Sequence, residues 1–165
     1  MSKPTRFLIL DACVLIDVSH IDRDVLAEVC RAVGSIHVAK PVFDEVQQID
    51  ETIAAAVGLA IVEPELEDLM EAARLPRGPL SFQDRLCLLV AARERWTCVS
   101  NDKPLRAACT ARRVPVLWGL EMLGLAAPKV TVARLEKAAW EIHAKNPRYV
   151  PKKLVEAFLM KLRRR

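Results

Sequence analysis

The segment FLILDACVLID, residues 7 to 17, carries a carboxylate, Asp11, inside an otherwise aliphatic run. A run of that density reads as a buried strand leading into a tightly packed segment, where an unpaired charge costs on the order of several kcal/mol. The local sequence offers no base to compensate it. Three more acids occupy related places: Asp102 follows the apolar run ending in Val99-Ser100-Asn101, Asp84 lies in the first turn of an apolar helix, and Glu45 lies in the first turns after a second strand. In open α/β sheets, ligands gather outside the carboxyl ends of the strands, and the following helix N-termini adjoin that edge. Four acids from distant parts of the chain are thereby expected at one spot, the arrangement that oxygen-preferring divalent cations require.

Each acid also has a structural reading. Asp102 suits the cap of a helix beginning near Lys103-Pro104, and Asp84 suits a capping box with Ser81. Glu45 suits a solvated helix face, with the adjacent Asp44 a rival for the same role. Asp11 has no comparable local account.

The elements that must position these acids follow from the hydrophobic pattern. Short aliphatic runs at Phe7 to Leu10, Ile36 to Ala39, Leu59 to Val62, Thr97 to Ser100 and Pro115 to Leu117 predict strands. Helices are predicted between them at Asp24 to Val33, Pro41 to Ile49, Glu65 to Ala73, Ser81 to Arg95 and Pro104 to Arg112. That alternation predicts an α/β fold with a parallel sheet covered by helices. The segment Leu86 to Ala92 is apolar nearly all round, so its helix is expected to be deeply buried. Arg77-Gly78-Pro79 is the clearest loop signal in the body. Beyond Pro128 the pattern becomes Val130 to Ala144, a break at Pro147, and a basic amphipathic stretch from Lys152 to Lys161. The expected division is a body over 1-128 and a basic helical C-terminal extension over 129-165, packed on or appended to the same domain.

A length of 165 residues points to one domain, and 52% hydrophobic with 28% charged residues excludes a disordered or fibrous chain. The five cysteines are odd in number and form no C-x-x-C pair, which disfavours zinc and a disulfide framework and suggests a reducing, cytoplasmic setting. No signal-peptide pattern follows MSKPTR, and no uncharged run approaches the roughly 18 residues of a membrane span, so no membrane association is expected. Residues 145 to 165 hold eight Lys or Arg against one acid, Glu156, while the net charge of the whole chain is only +4. A basic tail on a slightly acidic body suits a polyanionic partner, although a solvated helical face gives the same composition.

With these residues in place, the chain resembles the PIN-domain family, metal-dependent ribonucleases that include the VapC-type toxins of toxin–antitoxin pairs. The resemblance spans roughly residues 6 to 125. Asp11 in LDACVLID matches the first family acid, Glu45 in VFDEV the second, Asp84 in LSFQDRLCLLVA the third, and Asp102 in CVSNDKPLR the fourth. Departures are Cys13 where a small polar residue is frequent, SND where T-x-D is typical, and the basic tail. The resemblance implies a three-layer α/β/α fold with a central parallel sheet of four or five strands and a C-terminal helical extension.

It also implies a hydrolase cleaving RNA phosphodiester bonds with Mg²⁺ (or Mn²⁺). In that scheme Asp11, Glu45, Asp84 and Asp102 are the catalytic and metal-binding residues. Asp11 and Asp102 would ligate directly, while Asp84 and Glu45 would hold coordinated water or a second ion; Ser81, Ser100 and Asn101 would orient them by hydrogen bonds. The implied partners are an RNA substrate, single-stranded or looped, and, for a toxin, an antitoxin protein; the resemblance also admits a homodimer. Trp96, Trp118 and Trp140 are candidates for base stacking or for core packing. A haloacid-dehalogenase-type phosphatase would need a second Asp where Cys13 stands, and a receiver domain a phosphoacceptor Asp where Glu63-Pro64 stands. The remaining rival is a PIN-fold module that binds RNA or a protein without cleaving.

Overall fold

The computed structural model describes residues 6 to 76 and 78 to 165. Arg77, part of the expected loop, and residues 1 to 5 lie outside them. Strands β1 (Phe7–Leu10), β2 (Ser35–Ala39), β3 (Leu59–Val62), β4 (Thr97–Val99) and β5 (Val116–Leu117) form one parallel sheet in the order β3-β2-β1-β4-β5, flanked by helices. The fold is therefore the expected α/β arrangement with five strands. β1 is central, and Leu8, Ile9 and Leu10 are all at most 1% exposed, so its near-continuous aliphatic sequence reflects burial on both faces.

The chain builds β1, β2 and β3 outward on one side, then returns to place β4 and β5 on the other. The carboxyl ends of β1 and β4 thus flank the point where the winding reverses, and a crevice outside such a point is where ligands bind in open α/β sheets. Leu10 pairs with Val99 in register, and the Asp11 N–H donates to the Val99 carbonyl at 3.2 Å.

The helices are α1 (Ala12–Ser19), α2 (Arg23–Val33), α3 (Lys40–Glu45), α4 (Glu51–Val57), α5 (Leu66–Arg74), α6 (Phe82–Glu94), α7 (Lys103–Ala111), α8 (Gly119–Gly124), α9 (Val132–Lys145) and α10 (Lys152–Arg163). Two differences from the sequence expectation matter. The segment after Asp11 is a helix, because the Asp11 carboxylate accepts the Val14 N–H at 2.9 Å and caps it. The expected helix over Pro41 to Ile49 stops at Glu45, where Val46 turns to extended backbone, and Asp50 caps a separate α4 that ends on left-handed Gly58.

Helix α6 explains its all-round apolarity. One side packs Cys87, Leu88, Val90 and Ala91 into the main core, while Leu86 and Leu89 form a smaller cluster with Ala72 of α5. Helices α9 and α10 bury Leu135, Ala138, Ala139, Ile142, Val155, Phe158, Leu159 and Leu162 in the main core. Residues 129 to 165 therefore share one core with the sheet. No helix among the described residues is long and apolar enough to cross a membrane.

Candidate active site at the β1 and β4 carboxyl ends

Asp11 leaves the end of β1 and is 2% exposed. Both carboxylate oxygens are occupied: Oδ1 accepts the Val14 N–H, Oδ2 accepts the Ser100 hydroxyl, and the Cys13 thiol lies 3.1 Å from each. Burial pushes the Asp11 carboxyl up to about 6, and the negative charge of Asp84 adds to the rise, while Ser100, Val14 and Cys13 pull the other way. Burial likewise raises the Cys13 thiol, with the Asp11 charge adding to it, so Cys13 stays a neutral donor.

Ser100, fully buried at the end of β4, joins two acids. Its hydroxyl donates to Asp11 and accepts the Asp102 N–H at 3.0 Å. Asp102 caps α7 by accepting the Leu105 N–H at 2.9 Å through Oδ2. Asp84 closes the capping box of α6: its Oδ2 accepts the Ser81 N–H at 2.8 Å, and the Ser81 hydroxyl accepts the Asp84 N–H at 3.0 Å. The structural readings of Asp84 and Asp102 thus hold, and each cap uses only Oδ2. Glu45 is exposed on the last turn of α3 and stands apart from these bonds, while its neighbour Asp44 pairs with Lys40.

Two further groups lie near the acids. Asp17, 3% exposed, accepts from Asn101 Nδ2 at 3.0 Å and Asn146 Nδ2 at 2.8 Å, and Asn101 Oδ1 accepts the Gly119 N–H at 2.9 Å. Burial raises the Asp17 carboxyl and the two amides oppose it. The reasoning that singled out Asp11, an acid in an apolar run with no nearby base, applies equally to Asp17. Arg106 donates to the Ser100 carbonyl at 3.0 Å and lays its guanidinium over the Trp118 ring at 3.5 Å. Trp96 instead stacks on His37 with centroids 3.9 Å apart, and Trp140 packs against the core.

The donor chemistry fits a hard divalent cation: the acids offer carboxylate oxygen, and a cation would reverse the repulsion that Asp84 imposes on Asp11. Among the described residues no three His, Cys, Asp or Glu side chains are close enough to form a ready cage. Mg²⁺ does not require one, since it is commonly bound through one or two carboxylates with several waters retained.

No protein-family model matches the chain, and no curated protein matches it. Among solved structures it is similar to a PilT N-terminus domain protein from the hyperthermophilic archaeon Sulfolobus solfataricus, at a TM-score of 0.54 and 14% identity. The similarity covers 75% of this chain and 96% of that one. The fold is that of a PilT N-terminus, or PIN, domain. Identity this low establishes the fold alone.

Proposed function

We propose that the chain is a metal-dependent ribonuclease acting at the carboxyl ends of β1 and β4. What supports this reading is the Asp11 carboxylate, held almost without solvent at the switch point of a PIN-type sheet and destabilised by a second acid. Asp11 also caps α1, but an acid whose carboxyl is raised chiefly by burial, at the crevice of such a sheet, is a candidate working site. Asp11 and Asp102 would hold Mg²⁺ or Mn²⁺, with Ser100 orienting the Asp11 carboxylate and the Asp102 backbone. Asp84, anchored through one oxygen, would hold the attacking water with the other, and Glu45, exposed at the end of α3, would hold water or a second ion. A bound divalent cation would lower the pKa of water and neutralise charge on the scissile phosphate.

A second reading is an RNA- or protein-binding module of the same fold without cleavage, which the basic residues of α10 would serve equally well. Incubation of the purified chain with mixed RNA separates the two. Cleavage with Mg²⁺ or Mn²⁺ that chelator stops supports the nuclease, and intact RNA in every condition removes it. The further role we propose, toxin of a toxin–antitoxin pair in the cytoplasm, predicts that expression arrests growth, that Asp11→Asn relieves the arrest, and that an antitoxin protein restores growth. Normal growth with ample folded protein contradicts that role.

A further inference from the structure

We propose that Trp118 and Tyr149 form a base-stacking subsite that holds an unpaired nucleotide of single-stranded RNA beside the acids, a substrate assignment that rests on the nuclease reading. Trp118 is 38% exposed and Tyr149 63% exposed, in a protein whose other tryptophans pack inward. Both residues line one cavity of about 290 Å³, together with Leu120, Leu154, buried Phe158, Asn101 and Lys161. Arg106, which lies over the Trp118 ring, also donates to the Ser100 carbonyl, so the cavity adjoins the β4 end of the site. Glu121 also lines it, its carboxylate accepting the Trp118 backbone N–H at 2.9 Å.

The chemistry of the lining selects the occupant. Arg106 covers one face of the Trp118 indole and Arg148 sits 5.5 Å from the Tyr149 ring centroid. A base inserted against the other indole face would complete a guanidinium–indole–base stack, a pattern typical of single-strand recognition. Lys161, which lines the cavity, supplies positive charge for the phosphates. Paired bases present no free face to the cavity, so duplex RNA gains nothing from the two rings.

The test measures binding of a short fluorescently labelled single-stranded RNA of mixed sequence by anisotropy, with full-length protein in EDTA. Trp118→Ala and Tyr149→Ala are each expected to weaken binding about tenfold, Trp118→Phe to retain most of it, and duplex RNA to bind independently of both rings. Thermal melts of each variant establish that it is folded. Undetectable binding of single-stranded RNA, or folded alanine variants that bind it like the parent, overturns the subsite. Ring-dependent binding without metal-dependent cleavage would remove the nuclease and leave the subsite, whereas cleavage with ring-independent binding would do the opposite.

Discussion

The Ser100 hydroxyl donates to the Asp11 carboxylate while accepting the Asp102 N–H, so one side chain at the end of β4 sets the relation between the acids that follow β1 and β4. Ser100 is also the strongest influence lowering the Asp11 pKa against burial. Ser100→Ala is therefore expected to raise that pKa further, weaken metal binding at neutral pH, and move the rising limb of the cleavage pH profile upward. Ser100→Thr should restore the profile. A profile unmoved by Ser100→Ala would show that the bond does not tune Asp11.

Asp11 makes the metal-free protein pH-sensitive in a defined direction. Its carboxyl lies at about 6 in the folded chain against an ordinary value of 3.8, so between those limits the folded state binds more protons than the unfolded state. Stability contributed by this group is thus present at low pH and falls as pH rises through that window, by about 3 kcal/mol in total. Asp11→Asn keeps the cap on Val14 and removes the charge. In EDTA the variant should be more stable than the parent above pH 6, with the difference shrinking toward pH 4. Urea melts across that range check it, and a constant difference would refute the assignment.

The positions of Asp11, Asp84 and Asp102 at strand ends or helix starts were legible from sequence patterning, whereas Glu45, expected in the first turns of a longer helix, is the last residue of α3. The five strands were legible for the same reason. Helix α1 was not, since ACVLIDVS is apolar on nearly every side and reads as a continuation of β1; the cap formed by Asp11 decides it. The break between α3 and α4 depends on Asp50 and Gly58, whose cap signals an expected helix through Ile49 overrode. The Asp17 pair with Asn146 joins positions 129 residues apart, and Arg106 over Trp118 is likewise a product of packing, so neither had a local signature.

That distant pair yields its own prediction. Asn146→Ala removes one of two amide donors to a buried carboxylate and should cost about 1–3 kcal/mol. Because Asn101 would remain as the other donor, the Asp17 pKa should rise further above its already raised position. A melt equal to that of the parent would mean that solvent replaces the amide at no cost.

The basic C-terminal helix cannot be removed cleanly, since Val155, Phe158, Leu159 and Leu162 are buried in the main core. Deletion of residues 152 to 165 should unfold or severely destabilise the chain. Lys153→Gln and Arg164→Gln, at exposed positions, should leave the melt unchanged and weaken RNA binding. Each lost phosphate contact lowers the slope of log affinity against log salt by about 0.7 for a single strand. An unchanged slope in the double variant would assign the charge to another role.

Divalent-ion binding at the β1 and β4 ends is tested most directly by titrating Mn²⁺ into the purified protein and following the electron paramagnetic resonance signal of the free ion. The parent should deplete that signal to a defined stoichiometry, with Mg²⁺ competing. Asp11→Asn and Asp102→Asn, each folded by thermal melt, should lose at least tenfold in affinity, the scale of removing a charged ligand worth more than about 1.4 kcal/mol. Equal Mn²⁺ binding by the parent and both folded variants would contradict a metal centre built on these acids.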